Sequence, residues 1–258
     1  MSETEPTSGG TVDWDAASYD SIADPQEAWA REVLERLELR GDETVLDAGC
    51  GSGRVTRLLV ERLPRGKVIA VDGAPSMIDM VRDVLRPQDE ALLANLIELE
   101  LDQPVDAIFS NATFHWVLDH DRLFQRLHAA LCSGGQLEAQ CGGEGNVAEF
   151  ERAIEALSGD ERFAPYLRGT LLPWKFAGVG ETEVRLERAG FEGVRLWLER
   201  KRFQPRDPRG YLRASGLASH LDRLPQDLHE EFVDAVTGSM PRPLVLDYVR
   251  LNISTRRP

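Results

Sequence analysis

Val45-Leu46-Asp47-Ala48-Gly49-Cys50-Gly51-Ser52-Gly53 runs an apolar segment into three alternating glycines, with an acid two positions before the first. The pattern predicts a buried strand, a tight turn and a helix from Arg54. An open α/β sheet presents bare backbone to a small ligand in this way, at the carboxyl end of its first strand. The residues after the third glycine disfavour two common ligands. A dinucleotide fingerprint needs a glycine three positions after the second one, so that helix and sheet pack closely. Arg54 stands there instead. A nucleoside triphosphate loop needs Gly-Lys-Ser or Gly-Lys-Thr, and this loop continues into neither.

Outward from the loop, strand and helix signals alternate. Asp24 as N-cap, Pro25 at N1 and Glu27 at N3 open a helix whose Trp29, Val33 and Leu37 share one face, and Gly41 ends it. Strands are predicted over 44–48, 67–72, 91–95, 106–111 and 135–140. Helices are predicted over 54–63, 76–85 and 119–131. This βαβ alternation predicts a doubly wound parallel sheet covered by helices on both faces. The aromatic-rich stretch 150–176 reads as a helical cap inserted after the fifth strand. A helix over 181–189 and strands over 194–201 and 244–254 complete the sheet. In the last strand Val249, Leu251 and Ile253 alternate with Tyr248, Arg250 and Asn252. The expected organisation is an N-terminal arm (1–23), a binding core (24–145), a cap insertion (146–180) and the end of the core sheet (181–258). A second cap segment is expected near 205–240.

Composition narrows the partners. The 258 residues are 42% hydrophobic, enough for a substantial core, and carry 44 acids against 30 bases for a net charge of −14. That argues against nucleic acid, whose phosphates need clustered Lys and Arg. A few pocket bases could still hold a small anion. Cys50, Cys132 and Cys141 fall at no metal-ligand spacing, so neither a metal site nor a disulfide framework is expected. No apolar run approaches a membrane span and 1–11 lacks a signal core, which sets a cytoplasmic expectation. Oligomeric state is open between monomer and homodimer.

A ligand with a carboxylate, an ammonium, a sulfonium and a ribose diol suits the loop better than a phosphate. Glycine lets backbone N–H groups approach it, and the start of the next helix favours its carboxylate. Asp47 can offset the positive groups, and Asp72, at the end of the second strand, can take both ribose hydroxyls. That ligand is S-adenosylmethionine.

With these residues the chain resembles the class I S-adenosylmethionine-dependent methyltransferases. The loop, Val68-Ile69-Ala70-Val71-Asp72, Asp106-Ala107-Ile108-Phe109-Ser110-Asn111 and Leu131-Cys132-Ser133-Gly134-Gly135 carry the resemblance in order. It implies a seven-stranded sheet with the last strand antiparallel and the cofactor across the strand ends. Asp47, Gly49, Cys50 and Gly51 match the methionine-binding loop, and Asp72 with Gly73 matches the ribose acid. Asn95-Leu96 matches the adenine position, with Asn where the family often has Asp. Asn111 and Ala112 match the loop after strand four. Trp14 and Tyr19 either line the cofactor or pack in the core.

Ser110-Asn111-Ala112-Thr113-Phe114-His115-Trp116 further resembles the trans-aconitate and malonyl-carrier-protein methyltransferase group, as do Pro173-Trp174-Lys175-Phe176, Ala189-Gly190-Phe191 and Trp14-Asp15. That resemblance implies methylation of a carboxylate to an ester by in-line displacement. A carboxylate is already ionised at neutral pH and needs no base. For a hydroxyl or amine acceptor His115 is the base candidate; otherwise it is a packed histidine. Phe114, Trp116, Tyr166 and Trp174 are the candidate acceptor wall. Arg168, Lys175, Arg209 and Arg213 are the bases that could meet an anionic acceptor. Two other readings stay open: a natural-product C- or N-methyltransferase, and a non-catalytic partner protein on the same fold.

Overall fold

The computed structural model describes residues 24–167 and 172–258. Trp14, Tyr19, Arg168 and the predicted arm therefore lie outside the described residues. Seven strands form one sheet in the order β3-β2-β1-β4-β5-β7-β6. They are β1 (Thr44–Ala48), β2 (Lys67–Asp72), β3 (Glu90–Leu93), β4 (Val105–Asn111), β5 (Leu131–Gly142), β6 (Glu192–Phe203) and β7 (Leu246–Arg256). The first five pair in parallel, and β7 is antiparallel to both β5 and β6. This is the α/β architecture expected from the sequence. The first two strands have the predicted bounds. β5 begins earlier than predicted because Leu131 pairs with Val105 before a turn through Gly134 (φ +80°); continuous pairing resumes at Gln136.

Helices α1 (Asp24–Arg36), α2 (Thr56–Arg62) and α3 (Pro75–Val81) cover one face, and α4 (His120–Ala130) and α7 (Val179–Ala189) the other. Side chains alternate across a strand, so consecutive residues feed opposite layers. Val45, Val68, Ala70, Ala107 and Phe109 join the α1–α3 layer, with Val33, Leu37, Leu59 and Leu63. Leu46, Ile69, Val71 and Ile108 join the α4–α7 layer, with Leu123, Phe124, Leu127 and Leu186. Burial on both faces explains why these strands read as continuous apolar runs. Burying each Leu, Ile or Val side chain contributes about 1.5–3 kcal/mol. Trp29 and Val33 of α1, and Leu37 just beyond its end, are buried as their spacing predicted.

A third apolar cluster lies beyond the carboxyl ends of β4 and β5. It joins α5 (Ala148–Ala156) and α6 (Ala164–Leu167) to α8 (Pro208–Tyr211), α9 (Ala218–Leu221) and α10 (His229–Ser239). Phe150, Ile154, Phe163, Leu212, Phe232 and Val236 are its centre. The two segments predicted as caps thus share one core. No helix among the described residues is long and apolar enough to cross a membrane.

Candidate active site

The glycine turn closes at the adjacent ends of β1 and β2. Gly49 and Cys50 donate their N–H groups to the Val71 carbonyl at 2.8 and 3.0 Å. Gly49, Gly51 and Gly53 all have positive φ, +86°, +53° and +88°. They differ in what surrounds them. A Cβ at Gly49 would lie 2.1 Å from Thr113 Oγ1, and one at Gly53 would lie 2.8 Å from Val84 Cγ2. A Cβ at Gly51 would meet nothing within 4 Å. Gly49 and Gly53 therefore serve close packing, while Gly51 borders open space where a ligand can approach the backbone. Arg54 does not wedge between helix and sheet: it reaches Glu27 of α1 at 2.9 Å.

Asp72 ends β2 facing this turn. Its Oδ2 accepts from Gly51 N at 3.0 Å and its Oδ1 from Ala74 N at 2.9 Å. The Gly73 backbone is a third donor, so of the about four acceptor positions of an ionised carboxylate one remains for a ribose hydroxyl. Burial pushes the Asp72 carboxyl up, against hydrogen bonds from Ala74, Gly51 and Gly73 that lower it. Asp47 is deeper, accepting from Thr56 Oγ1 at 2.7 Å. Burial raises its carboxyl to about 7, opposed by the Thr56 hydroxyl and reinforced by the charge of Asp72. Burial and the same two acids push the Cys50 thiol up, so it stays neutral. Asn95 Oδ1 accepts from Ile97 N at 3.2 Å, capping the short turn at the end of β3. Leu96 is buried in the α4–α7 layer beside it. The open glycine at 51 and the acid that faces it fit S-adenosylmethionine.

The loop after β4 joins this cradle to a second space. Thr113 Oγ1 donates to the Gly49 carbonyl at 3.3 Å. Ala112, the next residue toward β4, has φ +58° and lines a cavity of about 600 Å³ including its mouth. Val147, with φ +45°, lines the same cavity. They are the non-glycine residues with positive φ among the described residues, and strain of this kind concentrates at working sites. The aromatic wall is a stack: Trp174 lies 6.1 Å from Phe150 and 5.6 Å from Phe176, each at 24°. Trp174 Nε1 donates to Glu151 at 2.7 Å.

His115 lines this cavity. Its Nδ1 accepts from Gly142 N at 3.2 Å. Burial, then the charges of Arg250 and His120, hold the ring well below the usual histidine range. The ring is neutral, and with Nδ1 accepting from Gly142 its proton is on Nε2. Of the two sequence readings of His115, base for a hydroxyl or amine acceptor or packed histidine, the hydrogen bond from Gly142 N favours the packed one.

Trp116 and Trp174 line the cavity as expected, but Phe114 and Tyr166 do not. The segment 114–116 is a 3₁₀ turn, whose successive side chains point about 120° apart. Phe114 is therefore turned into the core, edge-on to Phe124 at 6.1 Å, while its neighbours face the cavity. Tyr166 is 40% exposed on α6. Arg209 is engaged by Glu230 and Asp234 at 2.6 and 2.7 Å, and Arg213 by Glu230, on the outer surface of the cap. Lys175 lies near His120 and Glu181 and is not part of the lining.

Lining residues that the sequence reading did not single out include Tyr248 and Arg250 on β7 and Asn146 before the cap. Arg250 is 2% exposed, and its Nε donates to Gln140 Oε1 at 3.2 Å. Its guanidinium lies 5.2 Å from the centre of the Trp29 ring. Tyr248 OH pairs with Tyr211 OH at 2.7 Å. The polar half of the β7 alternation was the available signal, because a charged residue alternating within a central strand points at a buried site.

A parallel sheet with a glycine cradle, a facing acid and an adjoining aromatic cavity defines a nucleoside-cofactor enzyme of the doubly wound class. A methyltransferase-domain family profile matches residues 45–135. A trans-aconitate 2-methyltransferase from Methylobacterium nodulans is 31% identical over 86% of each chain. One from Variovorax paradoxus is 32% identical, again over 86% of each. A malonyl-[acyl-carrier protein] O-methyltransferase from Acetivibrio thermocellus is 35% identical over 58% of this chain and 56% of its own. Among solved structures, phosphoethanolamine N-methyltransferase 2 of Haemonchus contortus, in complex with S-adenosylhomocysteine, superposes with a TM-score of 0.62 at 17% identity. The match covers 94% of this chain and 57% of that enzyme. A cyclopropane synthase from Mycobacterium tuberculosis gives 0.58 at 19% identity, over 89% and 83% of the two chains. This chain belongs to the class I S-adenosylmethionine-dependent methyltransferases, in the trans-aconitate and malonyl-carrier-protein methyltransferase group. It is an enzyme with S-adenosylmethionine as cofactor, which removes the dinucleotide and non-catalytic readings.

Proposed function

We propose that the protein methylates a carboxylate of a small-molecule acid, giving the methyl ester. The observation that carries this reading is Arg250: a buried guanidinium in the wall of the cavity that opens at Ala112, beside the cofactor cradle. Arg250 is the Lys or Arg of the described lining, and Arg presents a fork that matches carboxylate geometry. The relatives named for trans-aconitate and for a malonyl group both carry free carboxylates on their acceptors.

S-adenosylmethionine, when bound, supplies an electrophilic methyl group on a sulfonium, and the carbon–sulfur electrons stay on sulfur as the carbon–oxygen bond forms. The Gly51 backbone would border its methionine end, with Gly49 and Cys50 setting the turn, and Asp72 would take its ribose. Asn95 and Leu96 would border its adenine, and Asn111 and Ala112 its methyl end. Asp47 would offset its positive charge. On the acceptor side, Arg250 and the Nε2–H of His115 orient one carboxylate. The nucleophile is ionised at neutral pH, so no proton leaves it. Trp116, Trp174 and Phe176 exclude water, and alignment supplies most of the rate. Mass detection of methyl esters across carboxylic acids, phenols and amines tests this. Esters are expected. Methylated phenols or amines with carboxylates untouched would sink it. Calorimetry with Asp72→Ala tests the ribose assignment, with loss of donor binding expected and unchanged affinity refuting it.

A further inference from the structure

The two edges of the sheet are built differently. β3 is four residues long, and a short strand offers other chains little backbone to pair with. β6 is twelve residues long, contains no proline and is paired with β7 on one side. Along its other side no described strand takes up its N–H and C=O groups. Trp197 and Leu198 are consecutive, so they point to opposite faces of the sheet, and they are 38% and 39% exposed. The strand is thus open on both faces as well as along its edge. Trp197 lies on the α1 side, with the Arg36 guanidinium 5.0 Å from its ring centre, and Leu196 packs on the α4–α7 layer.

Charged residues usually guard such an edge, and β6 carries Arg195, Glu199, Arg200, Lys201 and Arg202. Their order nevertheless fits one self-pairing. Residues directly opposite in an antiparallel ladder share a face of the sheet. Two copies related by a two-fold axis through one continuous sheet therefore have one β6 residue opposite itself. An axis at Arg195, Glu199, Arg200, Lys201 or Arg202 opposes like charges directly. An axis at Leu198 sets Arg195 opposite Lys201. An axis at Trp197 sets Arg195 of each copy opposite Glu199 of the other, and Leu196 opposite Leu198. Arg195 and the Glu199 carboxylate are both reached by solvent. Lys201, which lies 3.1 Å from Glu199, keeps Glu32 at 2.5 Å if Glu199 turns outward.

We propose that the protein is a homodimer in which β6 of one protomer pairs antiparallel with β6 of its partner, with Trp197 on the two-fold axis. One sheet then runs through both protomers. None of the cavity-lining residues lies on β6, so the pairing leaves the site of each copy as described. Sedimentation velocity of the full chain over a dilution series tests the proposal. A dimer is expected for the wild type. Glu199→Arg opposes like charges at two symmetric positions and should weaken self-association about ten-fold or more. Arg195→Glu should do the same. An equal mixture of these two variants restores opposite charges at both positions and should dimerise like the wild type. Trp197→Glu keeps a partner for Arg36 but brings two carboxylates together on the axis. It should give a folded monomer that binds S-adenosylhomocysteine as the wild type does. A wild-type chain that stays monomeric at about 0.1 mM overturns the proposal. If its β6 amides are nonetheless protected from exchange, the edge belongs to residues 1–23 of the same chain. A dimer that all three substitutions leave intact overturns the proposal as well, and so does a mixture of Glu199→Arg and Arg195→Glu that stays monomeric.

Discussion

Gly49→Ala and Gly51→Ala are the same chemical change two residues apart, and the structure predicts opposite phenotypes. At Gly49 the new Cβ meets Thr113 Oγ1, Cγ2 and Cβ at 2.1, 2.2 and 2.6 Å. The left-handed backbone adds about 1–2 kcal/mol for a residue with a Cβ, and overpacking adds about 1–3 kcal/mol. The total, about 2–5 kcal/mol, corresponds to a fall in Tm of about 5–15 °C for a chain of this size. At Gly51 only the conformational part applies, because nothing lies within 4 Å. Its Tm should fall by about 2–6 °C without ligand. The cofactor response reverses the order. A ligand at a hundred times its Kd stabilises the native state by about 2.7 kcal/mol. In Gly51→Ala that increment should vanish, because the methyl fills space the ligand needs. Thr113→Ala, which removes two of the three contacts, should restore part of the stability of Gly49→Ala. Scanning calorimetry with and without S-adenosylhomocysteine reads every arm. A Gly51→Ala protein with the wild-type ligand shift would refute the cradle, and a Gly49→Ala protein within about 2 °C of wild type would refute the packing role.

Asp47 and His115 give two further expectations. The folded Asp47 carboxyl stands at about 7, against 3.8 for an ordinary aspartate, so the unfolded chain releases its proton first. Its stabilising contribution is full below about pH 4 and is lost as pH rises toward 7. Asp47→Asn should therefore be more stable than wild type at pH 8, by up to about 4 kcal/mol, with the difference shrinking toward pH 4. The same substitution should weaken S-adenosylmethionine binding at pH 8. Urea melts across pH check the first part, and a pH-independent difference would contradict it. His115→Gln keeps an acceptor for Gly142 and a donor for the cavity, so kcat/KM should fall less than about ten-fold. A loss of about 10²–10⁴-fold would restore the general base.

The sheet was legible because its signals are local. β1 and β2 are apolar runs bounded by turn residues, and both faces are buried, so their ends match the pattern. The cradle was legible for the same reason, since Asp47 through Gly53 and Asp72 lie within two adjoining crossovers. The acceptor cavity was not. It draws on Ala112, Val147, Trp174, Leu212 and Arg250 from five separate stretches, and no period links them. Phe114 and Trp116 read as one wall because the sequence does not reveal a 3₁₀ turn, which sends neighbours in different directions. Arginine count misled as well. Arg209 and Arg213 fall in the right segment, but Glu230 and Asp234 hold them at the surface. Arg250, which does line the cavity, lies in a strand that looked merely structural.

The position of β7 bears on how the molecule is assembled. It comes after β6 in the chain yet lies between β5 and β6 in the sheet. During synthesis the glycine turn and β1 to β4 emerge well before it, and domains tend to form from the leading end. β6 has no described strand to pair with until β7 arrives, because β7 is its sole neighbour in the sheet. Tyr248 and Arg250 therefore come late, after every other described residue that lines the cavity. A nascent chain can acquire the means to hold its methyl donor before it can recognise anything to methylate.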